Sequence, residues 1–538
     1  MRRTRSIALI ALMFSALPAF ADTPIEALID QHIDAKLKAE NESPAVQASD
    51  ATILRRTTLD LVGRIPTLPE VTEYTQSQDS EKRAKLVERL MNSPGYSRYQ
   101  AYLFEAMLTE GNPKGKKGGT SGSLNEYLAM AIQENRPWDR MFRELMLPDD
   151  ADPKLKGASE FLRPKLADTD RMANDVSVAF FGVNVSCAQC HDHPLVHDWT
   201  QEHFYGMKSF LARTYDAGGF IAEREAGLVK YKPNKGPERS AKLMFLTGTT
   251  VSTETLRELN KEESKKDKDT AEAAKKDKKA PAAPKFSARA ELVKLALQKK
   301  EAEFFSKSIV NRMWHRFLGY GLVNPLDQMH SENPPSHPEL LDALAVDTAE
   351  YRYDLRRLVR GIVLSSAYSR SSKYESEAQP PASSFAVGRL KPLTPMQMAT
   401  SLKIATTDPK QWEGLKPEEF EKRIETMEAS ARSFASLIAM PTDNFQIGVG
   451  EALLFSNGDR VMKDYFADGT GSLLAKMKAE KDVAAIELMM RASLGRKPSE
   501  EEAKAFAGFA EARKDRADEA RRQMLWAVCT GPEFRFNH

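Results

Sequence analysis

Cys187-Ala188-Gln189-Cys190-His191 is the segment whose residue types and spacing point most directly to chemistry. It is a C-x-x-C-H arrangement, the attachment pattern of c-type haem. Two thiols three residues apart can each bond one porphyrin vinyl group, and the adjacent imidazole can then reach the iron from one face. Other readings remain open. A thiol–disulfide pair uses C-x-x-C, but the strand pattern of a thioredoxin-like unit is missing around it. A zinc ion could be held by Cys187, Cys190 and two of His191, His193, His197 and His203. A plain Cys187–Cys190 disulfide in a non-catalytic surface or interaction protein is the simplest alternative.

If haem is present, His191 is the ligand on the first iron face. His193 is only two residues away, too near for a local loop to place it on the opposite face. The opposite position is open to His197, His203 or Met207 nearby, and to His315, His330 or His337 from the second half. Met207 reads more simply as helix packing. Asp192 and Asp198 could orient imidazoles or carry protons, but two solvated acids are the plainer reading. Trp314 reads as packed, His315 as surface-facing and Cys529 as an isolated buried thiol.

The elements that must position these residues are helical. Apolar residues recur with helical rhythm over Ile25–Leu37 and Ile53–Leu61. Pro66 stops the second segment, and Thr67 with Glu70 predicts a capping box. Gly111 to Ser123 reads as a surface loop, and Asn135 to Asp139 as a turn between helices. Val178–Val183 is apolar enough for a strand or a buried helix. Thr200 to His203 opens a helix with Phe204, Met207, Phe210 and Leu211 on one face. Glu291–Phe317 reads as one long helix ending at Gly319. Further helices start at Ser336–Glu339, Asp354 and Thr394–Gln397, and cover 415–438, 473–493 and 500–515. Neither a dinucleotide fingerprint nor a phosphate loop occurs. The expected fold is mainly α and multi-helical, in two halves with a charged low-complexity insertion between them.

That insertion, 262–285, is dense in Lys, Asp, Glu, Ala and Pro and reads as a solvated linker or mobile segment. It lies in a variable region, 226–288, between a cytochrome-like domain over 22–225 and a helical companion over 289–538. Residues 1–21 read as an export signal. Arg2, Arg3 and Arg5 precede an apolar stretch from Ile7 to Leu17, and Ala19-Phe20-Ala21 fits a cleavage site. The stretch is too short to span a bilayer, and no second span follows. Export places the chain in the periplasm or at the surface of a bacterium.

The 538 residues allow several domains, and 41% hydrophobic with 29% charged residues is a globular balance. Three cysteines exclude a disulfide-rich scaffold. The chain has 78 Lys+Arg against 76 Asp+Glu, and losing the three signal arginines leaves 75 against 76, a net charge of −1. A near-neutral chain makes no case for nucleic-acid binding.

Several motifs carry a resemblance. Phe181 to Pro194, followed by Trp199-Thr200-Gln201 and Phe204-Tyr205-Gly206, resembles the cytochrome-like domain of planctomycete secreted proteins, domain of unknown function 1549. Leu54-Arg55-Arg56, Leu59 to Gly63, Pro66-Thr67 and Asn135 to Asp139 resemble its other motifs. Val310 to Trp314, Phe317 to Val323, Ser336 to Leu341, Leu364 to Tyr368, Leu494 to Pro498 and Glu533-Phe534 resemble its companion, domain of unknown function 1553. The resemblance implies an exported, cytochrome-like protein without an established reaction. Many relatives carry a further small cytochrome or binding module, which makes a separate envelope redox protein a plausible partner here. The leading expectation is one covalently attached haem c serving electron transfer or a haem-dependent oxidation of unknown substrate. A metal-dependent envelope enzyme using the Cys/His cluster is an alternative.

Overall fold

The computed structural model describes residues 23–109, 123–193, 195–233, 236–376, 378–441 and 449–538. The expected export signal, and all but the last residue of the expected 111–123 loop, lie outside them. The described chain is mainly α-helical, and none of its helices is long and apolar enough to cross a membrane.

Local signals place most helix starts. Thr67 and Glu70 form the expected capping box, as do Thr394 with Gln397 and Ser499 with Glu502. Gly319 ends the Glu303–Leu318 helix at φ +77°, a left-handed position that costs glycine little.

The expected 291–317 helix is two, Ala288–Ala296 and Glu303–Leu318. Glu301, at the break, turns its carboxylate to the hydroxyls of Thr247 and Thr249. That polar anchoring redirects the chain where apolar rhythm alone predicts continuity. Residues 473–493 divide likewise, into Leu473–Lys478 and Asp482–Leu494.

Residues from Ile25 to Ala386 share one hydrophobic core. A second core runs from Leu393 to Phe534 and takes in Leu59 and Ile65. The Asp50–Val62 helix joins them, and every residue from Ile53 to Val62 is buried. Its charges meet the far end of the chain. Arg55 donates to the carbonyls of Ser493 and Phe534 at 3.1 and 3.0 Å. Arg56 donates to those of Arg370 and His538 at 3.0 and 3.1 Å. Asp60 accepts from Lys391 at 2.7 Å and from Asn537 at 2.8 Å. Buried charges need such partners, so these residues brace the fold.

The charged segment expected to be a linker contains a helix, Lys261–Asp277. Asn260 and Glu263 cap its start, and Arg224 pairs with Asp267 at 3.2 Å. The helix rests on the hairpin of Thr214–Ala217 with Phe220–Glu223. Its order comes from capping and docking, which composition does not register. That hairpin and two smaller ladders, Lys230–Tyr231 with Arg239–Ser240 and Leu243–Met244 with Thr250–Val251, occupy a region without a strand-like sequence signal.

Candidate functional site

The Cys187–His191 turn follows a buried aromatic segment. A π-type turn over Ser177–Phe181 resolves the strand-or-helix ambiguity of this stretch. It buries Phe180 against Phe142 at a ring separation of 4.6 Å and Phe181 against Phe245 at 5.1 Å. The chain turns at Gly182 and forms a bridge from Val183 to Gln328. Asn184 donates its backbone N–H to the Asp327 carbonyl at 2.8 Å and its side-chain amide to the Asp327 carboxylate at 3.0 Å. Asn174 Oδ1 accepts from the N–H groups of Val185 and Ser186, both at 3.0 Å. This scaffold delivers Ser186–Ala188, a single helical turn carrying Cys187.

Cys187 and Cys190 are both free thiols and both exposed. His191 is exposed, and its Nδ1 lies 2.7 Å from the Asp192 carbonyl oxygen. A carbonyl only accepts, so Nδ1 carries a proton, and in the neutral ring the lone pair is then on Nε2. Metal-ligating histidines are characteristically held in this way.

The neighbouring histidines are used differently. His193 Nδ1 accepts from the N–H groups of Leu195 and Val196 at 3.2 and 3.0 Å. His203 Nδ1 accepts from the Thr200 N–H at 3.3 Å and helps cap the Gln201–Leu211 helix. With Nδ1 accepting, the neutral rings hold their proton on Nε2. Burial pushes the His203 pKa down and keeps that ring neutral. His197 is exposed. Met207 is fully buried on the core face beside Phe204, Phe210 and Leu211.

The three distant histidines go to three places. His330 comes to the Cys–His loop: its neighbours include His193 and Asp198, and burial outweighs Asp198 to lower its pKa. Its Nε2 faces Gln328 Oε1 at 3.2 Å, while Nδ1 is buried without a partner. His337 packs against Phe385 at the start of the Pro338–Glu350 helix, near Lys36 and His32. His315 is half-buried and lines a cavity, rather than facing the surface. Trp314 is packed as expected, edge-on to Phe385. Cys529 is buried, which pushes its thiol pKa up to about 12.

The two acids are anchors rather than free solvated groups. Asp192 Oδ1 accepts from the Gln201 N–H at 2.9 Å at the first turn of the following helix. Asp198 accepts from Ser331. Gln201 returns a bond from its amide to the Gln189 carbonyl at 3.1 Å. These positioning partners, with Asn174, Asp327 and Ser331, carry no sequence signal of their own.

Among the described residues, no group of three or more His, Cys, Asp or Glu is arranged to hold a metal ion. The zinc arrangement is therefore not assembled. The residues that haem attachment would use, the thiols of Cys187 and Cys190 and the imidazole of His191, are all exposed on this segment.

Residues 28–216 match PSCyt2, described as a protein of unknown function (DUF1549), and residues 288–446 match PSD1, described as a protein of unknown function (DUF1553). The chain thus contains both domains in the tandem order associated with planctomycetes, and the Cys–His turn lies in the first. Neither the curated proteins nor the solved structures include a match to the chain.

Proposed function

We propose that this chain, a PSCyt2 region followed by a PSD1 region, is an exported c-type haem protein that exchanges electrons with a partner in the bacterial envelope. The observation that carries the reading is the His191 Nδ1 contact to the Asp192 carbonyl, beside two free, exposed thiols. Cys187 and Cys190 would hold the group through thioether links. His191 Nε2 would supply a ligand to its iron. When bound, haem supplies a one-electron iron couple.

The rest of the work belongs to the protein. Asn174, Asn184 and Asp192 hold the turn so that the thiols and the imidazole face outward together. The exposure of both thiols favours a group near the surface, within reach of a docked partner, over one sealed in a substrate cavity. Export rests on the Arg-rich start, short apolar stretch and Ala-x-Ala site of residues 1–21.

The test is intact mass with a pyridine haemochrome spectrum, on protein exported from a host competent in c-type haem attachment. The expected gain is roughly 616 Da, one haem added without loss of atoms. Gain and spectrum should vanish in Cys187→Ala/Cys190→Ala. Apoprotein mass without haem absorbance from that host would overturn the reading.

A further inference from the structure

We propose that the cavity between the Pro94–Leu108 and Glu303–Leu318 helices binds a small organic carboxylate, held at its charged end by Arg312 and Arg316. The cavity has a volume of about 330 Å³, and its lining includes Lys391 and Pro392. That is at the small end of ligand pockets. Arg312, His315 and Arg316 stand at i, i+3 and i+4 and so share one helical face.

The charges on this wall are not balanced. Lys391 is neutralised by both oxygens of Asp60, at 2.7 and 2.8 Å. Arg312 and Arg316 have no comparable partner: among the described residues no carboxylate lies within ion-pair distance of either, and Asp327 offsets the Arg312 charge only from farther away. Arg316 donates to the side-chain oxygen of Gln100 at 3.1 Å and lies over the Phe104 ring. Arg312 donates to the Val178 carbonyl, and its Nε is buried without a partner. Burial lowers both pKa values to about 10, so both remain charged at neutral pH. Two half-buried cations one helical turn apart, with no carboxylate at ion-pair distance, favour an anion between them.

The other walls select the body of that anion. Leu103, Met107 and Leu326 add apolar surface to the same lining. A bare phosphate would leave that surface unused, whereas a carboxylate on an apolar body would use both. Arginine's planar fork also matches a carboxylate's two oxygens. The inference stands independently of the haem proposal, because it involves neither the Cys187–His191 turn nor any attached group.

The experiment is isothermal titration of the full chain, as purified, with phenylacetate, phenethylamine and inorganic phosphate in separate runs. Saturable one-to-one binding of phenylacetate is expected, with none of phenethylamine. Arg316→Met should weaken phenylacetate binding by roughly tenfold or more, since a charged hydrogen-bonding partner is lost. Leu103→Trp, which fills the apolar end and keeps both arginines, should also abolish it. Circular dichroism and the thermal midpoint of each variant establish folding. No saturable phenylacetate heat, phosphate binding more tightly than phenylacetate, or full affinity in a folded Leu103→Trp variant would each overturn the proposal.

Discussion

Asp198 takes two hydrogen bonds from Ser331, one from the backbone N–H at 2.7 Å and one from the hydroxyl at 2.8 Å. The partners are 133 residues apart, and they tie the Cys–His loop to the second half of the chain. The tie brings His330 beside His193 and gives the loop a fixed wall.

Asp198→Ala should therefore loosen the loop without unfolding the protein. Hydrogen bonds to a charged group contribute about 1.5–3 kcal/mol when sheltered, and this pair is exposed, so a stability loss of about 1 kcal/mol is expected. Amide hydrogen exchange should quicken across residues 192–200. Unchanged exchange there would show that the rest of the scaffold holds the loop alone.

The Arg64–Glu70 pair predicts a much larger effect. Burial acts to raise the Glu70 pKa, but Arg64, Arg89 and the Thr67 N–H overcome it and hold the carboxyl at about 2. Arg64 meets both Glu70 oxygens, at 2.8 and 3.0 Å. Glu70→Ala leaves a buried guanidinium without its anion and removes the partner of the Thr67 cap. A loss of about 3–5 kcal/mol is expected in urea unfolding, and a loss under 1 kcal/mol would contradict a pairing role.

His337 should make stability depend on pH. It is 5% exposed. Burial, with repulsion from Lys36 and His32, pushes its pKa down to about 4. An unfolded histidine protonates near about 6.5. Between those values the unfolded chain binds more protons, so the contribution is complete above pH ~6.5 and is lost as pH falls toward 4. By pH 5 the loss is about 2 kcal/mol. His337→Asn should remove that part of the slope between pH 7 and 5 in urea titrations. An unchanged slope would mean that His337 is not the group responsible.

The docking of the Lys261–Asp277 helix can be tested at Gly218. That residue has φ +70°, and a Cβ there would come within 2.5 Å of the Ala271 carbonyl oxygen and 2.7 Å of Lys275 Cβ. Gly218→Val should lift the helix from its hairpin and speed trypsin cleavage within 261–279, at lysines the docked helix protects. Cleavage at the wild-type rate would mean that the helix does not depend on this contact.

The sequence by itself determined the features that depend on near neighbours. Thr67 with Glu70, Thr394 with Gln397 and Ser499 with Glu502 are legible because a capping box lies within one turn. The C-x-x-C-H turn, the apolar face of Phe204, Met207, Phe210 and Leu211, and the two-domain resemblance are local patterns of the same kind. Tertiary structure decided the rest. Arg55 and Arg56 stand between the apolar positions of the Ile53–Leu61 rhythm, yet they are buried against carbonyls more than 300 residues away. Asp192 and Asp198 read as solvated acids, yet each anchors backbone. His330, His315 and His337 are indistinguishable as distant candidates in the sequence, and folding sends them to a loop, a cavity and a helix start. The physical reason is range. Capping and periodicity act within a turn or two of the residue that shows them, whereas the partner of a buried charge or an imidazole is set by which elements pack together, and no single segment encodes that.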